Sequence, residues 1–231
     1  MDAEQEKRLA ENLATVRGRI ANACRRVGRD PASVRLIGVT KYVDSETAAA
    51  LHNAGLADLA ESRPQELRQK APATPNTIRW HLIGHLQRNK VDKTLPFAGL
   101  IHSVDSVRLL EAIDAAATKL SRTAKVLLEV NMSGEAAKHG FAPREIAAVA
   151  ETLQRLTHVE VQGFMTMAAL EEPEAARSAF ASLKKLRDKM SKLWDQPLPE
   201  LSMGMSNDFE VAIEEGATMV RVGSALFEGI I

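Results

Sequence analysis

Short apolar runs alternate with helix-like segments along most of the chain, and this alternation limits the folds that the chain can adopt. The runs contain many β-branched residues, which is typical of buried strands in a parallel sheet. Strands that alternate with helices require parallel pairing with right-handed crossover connections. Eight such runs occur, at residues 34–41, 57–60, 78–83, 100–104, 126–130, 159–165, 201–203 and 219–222.

The number of strand–helix units favours a closed (β/α)8 barrel, a TIM barrel of the α/β class. An open doubly wound sheet is the alternative that this count alone leaves open. Ahead of the first strand, Leu9, Leu13, Val16 and Ile20 form one apolar stripe at helical spacing. We therefore predict a single domain over residues 1–231, with a helix within residues 1–30 packed on the outside of the barrel.

Composition excludes several classes of protein. Among the 231 residues, Lys plus Arg and Asp plus Glu both number 30, so no excess charge attracts nucleic acid or anionic lipid. The apolar runs are too short to span a membrane, and the charged N-terminus does not resemble a signal peptide. The only cysteine, Cys24, has no second cysteine with which to form an internal disulfide. We expect a cytoplasmic protein without a nucleic-acid or membrane partner.

Lys41 is the first candidate for chemistry, because it follows the apolar strand LIGVT. In a (β/α)8 barrel the ligand site lies at the C-terminal ends of the strands, and we call this open end the mouth. A lysine that emerges there with little water around it loses its proton easily and can form a Schiff base with a carbonyl. The structural alternative is a lysine whose charged end simply reaches solvent.

Two further strand ends carry the parts of a phosphate site. The loops after the seventh and eighth strands of such barrels often bind phosphate through backbone N–H groups. Here Ser206 follows the seventh strand, and Gly223 and Ser224 follow the eighth. The alternative is that residues 206–208 only cap the next helix, with Asn207 and Glu210 as a capping pair.

A lysine that faces a phosphate site across one barrel mouth matches the needs of pyridoxal 5'-phosphate (PLP). The lysine would hold the aldehyde end and the turns would hold the phosphate. Arg221 would then lie near the pyridine nitrogen, to which a guanidinium donates a hydrogen bond without giving up its proton. The ring would be a weaker electron sink than one paired with an aspartate, which suits binding or modest carbanion chemistry.

Two histidines in the segment WHLIGH, His81 and His85, are candidates for metal binding or for proton transfer. Spacing of four on a strand places both on one face. No carboxylate or cysteine accompanies them at ligand spacing, so we predict no metal site. We expect His85 to form hydrogen bonds near the cofactor or to a loop.

With these segments in place, the chain resembles the YggS/PROSC family of pyridoxal phosphate homeostasis proteins, whose members look like the barrel domain of alanine racemase standing alone. The resemblance covers nearly the whole chain. It rests on GVTK ending at Lys41, WHLIGHLQRNK from Trp80, VNMSGEAAKHG from Val130, GFMTM from Gly163, LSMGMSNDFEVAI from Leu201 and VRVGSALF from Val220.

The resemblance implies that Lys41 is the Schiff-base lysine, that Ser206, Gly223 and Ser224 hold the phosphate, and that Arg221 faces the ring nitrogen. It also implies a role in vitamin B6 balance without an established reaction. The family usually reads GENxVQE after the second strand, whereas this chain reads AESRPQE and places Ser62 where the asparagine stands. The end of the chain, residues 227–231, also departs from the family pattern.

Three functions remain as alternatives: a PLP-binding regulator or carrier, a PLP-dependent racemase-type enzyme, and a sugar-phosphate enzyme without cofactor. The related racemases take an opposite-face tyrosine from a second domain, whereas the only tyrosine here, Tyr42, adjoins Lys41. Neighbouring strand residues point to opposite faces, so Tyr42 is a poor second base. A sugar-phosphate enzyme would need carboxylates at the mouth, for which Glu61 and Glu129 are candidates. We favour a monomeric binding protein whose partners are PLP and PLP-dependent apo-enzymes.

Overall fold

Eight parallel strands close into a barrel in sequence order, from β1 to β8. This computed structural model describes residues 1–133, 135, 139–168 and 172–230. Gly134 and residues 136–138 of the VNMSGEAAKHG motif therefore lie outside the described residues. The strands are β1 (Arg35–Val39), β2 (Asp58–Glu61), β3 (Arg79–Leu82), β4 (Leu100–Val104), β5 (Ala124–Glu129), β6 (Val159–Met165), β7 (Glu200–Ser202) and β8 (Met219–Val222).

Pairing between the first and last strands closes the barrel. Ile37 of β1 lies opposite Arg221 of β8, and Gly38 lies opposite Val222. The predicted (β/α)8 barrel is therefore confirmed, and the open sheet is excluded because an open sheet would leave both edge strands unpaired.

Helices connect the strands and cover the outside of the barrel. The helical segments after β5 and β6 both begin as 3-10 turns, at Pro143 and Pro173, because proline cannot donate a backbone hydrogen bond. The α-helices of the described residues are α1 (Ala3–Arg26), α2 (Ser45–Asn53), α3 (Pro64–Lys70), α4 (Val91–Thr94), α5 (Val107–Lys119), α6 (Val149–Leu153), α7 (Arg177–Leu193) and α8 (Phe209–Glu214).

Apolar side chains form two separate clusters because strand residues alternate between the two faces of the sheet. The larger cluster fills the space between strands and helices, and the smaller one fills the barrel interior. The interior cluster contains Ile37, Ala60, Leu100, Leu127, Met165 and Met219. The barrel interior is thus a packed core.

Helix α1 packs against α8 and the end of the chain. Its apolar stripe, including Leu9 and Leu13, is fully buried. The Asn12 side chain donates to the backbone oxygen of Leu226 at 3.1 Å. Arg19 forms an ion pair with Glu210 of α8 at 3.1 Å. The N-terminal helix therefore lies against the outside of the barrel and fastens the C-terminal segment. Within the described ranges, we find no helix with the length and apolarity needed to cross a membrane.

Candidate functional site

Lys41 lies at the mouth, in a turn that follows β1. Strand β1 ends at Val39, and residues 40–43 form what we call the Lys41 turn. The Lys41 side chain is exposed, and its Nζ atom lies 4.8 Å from the centre of the Tyr42 ring. The expectation of a lysine with little water around it is wrong, because the strand stops two residues before Lys41. The opposite-face argument for Tyr42 also fails, since neither residue belongs to the strand.

A buried ion pair between Lys70 and Glu61 contacts the Lys41 turn on the side that faces α3. Lys70 of α3 donates to Glu61 Oε1 at 2.6 Å and to the backbone oxygen of Thr40 at 2.8 Å. The Thr40 hydroxyl also donates to Glu61 Oε1, at 2.5 Å. Glu61 therefore faces α3 and is not a carboxylate of the mouth, contrary to the alternative of a sugar-phosphate enzyme. Its Oε2 atom is buried without a hydrogen-bond partner in the described part of the chain.

The turns after β7 and β8 meet beside the Lys41 turn. The Gly223 backbone N–H donates to Ser206 Oγ at 3.3 Å. A Cβ atom on Gly223 would lie 3.3 Å from the backbone oxygen of Val39, so the ends of β8 and β1 are in close contact. Ser224 begins a 3-10 turn, and the first N–H groups of such a turn have no partner within it. Hydroxyl and N–H donors therefore gather at one point of the mouth.

Gly204 makes the turn after β7 possible. Its φ is +92°, and a Cβ atom there would lie 2.6 Å from Ala212 Cβ in α8. Asp208 is the N-cap of α8, and its side chain accepts from the Met205 N–H at 2.6 Å. The predicted capping pair of Asn207 and Glu210 is wrong, since Glu210 pairs with Arg19 of α1.

Arg221 lies below these turns and is only 3% exposed. It donates to Ser202 Oγ at 2.6 Å and to the backbone oxygen of Thr166 at 3.0 Å. Burial lowers the pKa of Arg221 to about 10, although the charges of Asp208 and Glu129 oppose the shift. The guanidinium remains charged at neutral pH, and no carboxylate among the described residues forms an ion pair with it.

Ser62 follows β2, the strand that pairs with β1 on the other side of Lys41. Its backbone oxygen touches the loop after β3, because a Cβ atom on Gly84 would lie only 2.0 Å from it. The predicted positions Lys41, Ser62, Ser206, Arg221, Gly223 and Ser224 thus belong to four strand ends that are neighbours in the closed barrel, β7, β8, β1 and β2.

His85 belongs to another part of the mouth. Its Nδ1 atom lies 3.0 Å from Asp105 Oδ2, and its ring stacks on His139 at 4.4 Å with an angle of 17°. The possible ligand atoms of these three residues all lie within 4.8 Å of one another, a cluster that the sequence spacing did not reveal. His139 Nδ1 lies 3.7 Å from the same Asp105 oxygen, so both rings face one carboxylate.

His81 and His85 do not share a face, contrary to the prediction. His81 lies in β3 with its side chain buried in the barrel, whereas His85 lies beyond the strand and is exposed. The strand again ends earlier than the apolar pattern suggested.

Glu129 lies at the end of β5, and its pKa is strongly shifted from the usual value. It is 4% exposed. Burial raises the pKa of Glu129 to about 7, the charge of Asp105 adds to the shift, and His139 and Arg221 oppose it. Glu129 can therefore hold or release a proton near neutral pH.

Comparison with known proteins gives a consistent result. Residues 7–229 match the family model described as alanine racemase, N-terminal domain. The chain is 42% identical over 219 residues to the pyridoxal phosphate homeostasis protein of Aquifex aeolicus, covering 94% of this chain and 96% of that protein.

Two solved structures share the fold over nearly their whole length. A protein from Bifidobacterium adolescentis, described as unknown, superposes with a TM-score of 0.92 at 38% identity, covering 98% of this chain and 97% of that one. PipY of Synechococcus elongatus, solved with PLP bound, gives a TM-score of 0.83 at 33% identity, with coverage of 95% and 99%.

Proposed function

The chain belongs to the family of pyridoxal phosphate homeostasis proteins, and on this premise we propose that it binds PLP through Lys41 and takes part in intracellular vitamin B6 balance. The observation that carries the proposal is Arg221, a buried guanidinium without a carboxylate partner in the described part of the chain. Its backbone N–H donates to the Gly204 oxygen in the turn after β7 at 3.0 Å, and it precedes Gly223 by two residues. A charged group in this position calls for a ligand with a complementary acceptor.

The donors at the mouth fit the three polar parts of the cofactor. Lys41 offers an amine to the aldehyde, and Arg221 offers N–H donors to the ring nitrogen. Ser206 offers a hydroxyl to the phosphate and Ser224 offers a backbone N–H group, while the Gly223 N–H orients Ser206 by donating to its Oγ atom. The proposed set also includes Ser62, which follows β2 next to Lys41, and His85, which follows β3 further along the mouth beside Asp105.

Binding without catalysis agrees with the chemistry of these residues. Held as a Schiff base, PLP supplies an electron sink, and the sink is strongest when the ring nitrogen is protonated. Arg221 keeps its own proton at neutral pH and therefore donates a hydrogen bond without transferring a proton. Lys41 and Tyr42 are exposed, so a cofactor bound there remains within reach of an acceptor protein.

The test is the visible absorbance of purified protein mixed with PLP. We expect a yellow complex that loses its colour on borohydride reduction, with the label attached to Lys41. Lys41→Ala should stay colourless, whereas Lys192→Ala, which removes an exposed lysine of α7, should behave like the wild type. A colourless wild type, or a yellow Lys41→Ala variant that is labelled elsewhere, would refute the proposal.

A racemase-type enzyme is the second candidate, and Glu129 is the observation that favours it, because its pKa near 7 suits proton transfer. Exchange of the Cα hydrogen of individual L-amino acids in deuterium oxide separates the two functions. We expect no exchange above the rate of free PLP. Exchange at enzyme-like rates that is lost in Glu129→Gln would replace the binding role with a catalytic one.

The same proposal includes a cytoplasmic location, a monomeric state and transfer of PLP to PLP-dependent apo-enzymes. The buried free thiol of Cys24 supports a reducing compartment. Analytical ultracentrifugation of the complex tests the monomer, and reactivation of an apo-enzyme by the yellow protein tests the transfer.

A further inference from the structure

An unbroken line of hydrogen bonds crosses the barrel interior from its N-terminal end to Arg221. Asp58 Oδ1 lies 3.0 Å from His81 Nε2, and His81 Nδ1 lies 2.9 Å from His102 Nε2. His102 Nδ1 lies 2.8 Å from Ser202 Oγ, which accepts from Arg221 at 2.6 Å. All five side chains are at least nine-tenths buried. We call these residues the Asp58–Arg221 chain.

The two ends of this chain determine the direction of every hydrogen bond in it. A guanidinium only donates, so Ser202 accepts a hydrogen bond from Arg221. The Ser202 hydroxyl then donates a hydrogen bond to His102 Nδ1. His102 must then carry its proton on Nε2 and donate to His81 Nδ1. His81 in turn carries its proton on Nε2 and donates to the Asp58 carboxylate, which only accepts. Each donor therefore points toward Asp58, and no group in the chain lacks a partner.

The charges of the chain lie at its two ends. Burial lowers the pKa of His102 well below its usual range, and the positive charge of Arg221 acts in the same direction, so the His102 ring is neutral. Burial alone would raise the pKa of Asp58, but hydrogen bonds from His81 and Arg79 hold it well below its usual range. A carboxylate at one end thus faces a guanidinium at the other, with aligned neutral dipoles between them.

The Asp58 end of the Asp58–Arg221 chain borders a cavity that opens to the outside of the barrel. Asp58 and His81 line a cavity of about 540 Å³ at the N-terminal ends of the strands, opposite the mouth. The exposed Arg79 forms an ion pair with Asp58 there, at 2.5 Å. Asp58 can therefore be changed without touching any residue at the mouth.

We propose that Asp58 is a positioning residue for Arg221, acting from the opposite end of the barrel through His81, His102 and Ser202. The Asp58–Arg221 chain fixes Nη1 of the guanidinium through Ser202, and the Thr166 oxygen fixes Nη2. The remaining N–H groups are then held in one orientation toward the mouth. This inference rests on the proposed function, since it assumes that Arg221 contacts the ring of PLP.

The first arm of the test uses the ligand-free protein, so that it does not depend on PLP. Nitrogen-15 NMR distinguishes the two tautomers of a neutral histidine. We expect His81 and His102 of the wild type both to carry their proton on Nε2. A proton on Nδ1 of His102 would reverse the chain and overturn the proposal.

The same NMR arm compares two variants at the far end. In Asp58→Ala the Arg221 Nε–H resonance should move, because its orienting chain has lost the terminal acceptor. In Arg79→Gln it should stay in place, because His81 still donates to the Asp58 carboxylate. An Arg221 resonance that does not respond to Asp58→Ala in a folded protein would overturn the proposal.

The second arm measures PLP binding by the same variants. We expect Asp58→Ala to shift the visible absorbance maximum and to weaken binding about fivefold, the effect of one lost hydrogen bond. Arg79→Gln should match the wild type in both measurements. Identical spectra and affinities for the two variants would overturn the positioning role. A wild type that binds no PLP would instead refute the proposed function, and the histidine tautomers would still decide the direction of the chain.

Discussion

Replacing Lys70 with methionine is expected to destabilise the fold strongly, although Lys70 lies far from Lys41 in the sequence. Lys70 is 5% exposed and is the cationic partner of Glu61, which is fully buried. Methionine fills a similar volume but leaves the carboxylate with only the Thr40 hydroxyl as a partner. Removing one partner of a buried pair costs about 3–5 kcal/mol. For a domain of this size the melting temperature should fall by roughly 6–20 °C.

The assay is urea unfolding at pH 7 followed by circular dichroism, with a thermal melt as a second measurement. Lys192→Met provides the control, because it removes an exposed lysine from a helix. The double variant Lys70→Met with Glu61→Leu should recover most of the lost stability, since replacing both partners removes the uncompensated charge. If Lys70→Met costs no more than Lys192→Met, or if the double variant is the least stable of the three, the reasoning about the buried pair is wrong.

Three further predictions concern the mouth. Gly84→Ala should lower the free energy of unfolding by roughly 1–3 kcal/mol in urea, because its Cβ would lie 2.0 Å from the Ser62 oxygen; an unchanged midpoint would contradict this. Glu129 keeps its proton up to a pH of about 7 when folded but loses it near 4.5 when unfolded, so wild-type stability falls as pH rises across that window. Glu129→Gln cannot ionise and should gain roughly 2–3 kcal/mol on the wild type between pH 5 and 8, whereas parallel pH profiles would refute the shift. Ser206→Ala should bind PLP roughly tenfold more weakly or worse, with the exposed Ser178→Ala as control, and equal affinities would remove Ser206 from the phosphate site.

The barrel could be predicted because each strand leaves a local signal. The β-branched runs and the helical stripes between them have different periods, and both are visible within a few residues. The residue at which a strand ends leaves a weaker signal in the sequence, so the surroundings of a site residue next to a strand end are harder to predict. The run that ends in Lys41 continues two residues past the last strand residue, Val39, so the sequence indicated a buried amine where the structure has an exposed one.

Contacts between distant segments could not be predicted in this way. Lys70 looks like a surface lysine in sequence, and only the packing of α3 on β2 brings it to Glu61. His102 lies 100 residues from Ser202, to which it is hydrogen-bonded across the barrel interior. No local pattern distinguishes His102 from a histidine that merely fills a core. Strand-end position and the likeness in sequence to a known family both indicated Lys41, Ser206 and Arg221, but neither indicated the hydrogen-bonded side chains behind Arg221.

Closure of the barrel between β1 and β8 has a consequence for protein synthesis. Lys41 leaves the ribosome before Ser206, Gly223 and Ser224 have been translated. A nascent chain that stops short of β8 has the proposed Schiff-base lysine but lacks Arg221, Gly223 and Ser224 of the proposed site. We therefore expect such incomplete chains not to bind the cofactor, so that binding begins only after β8 has paired with β1.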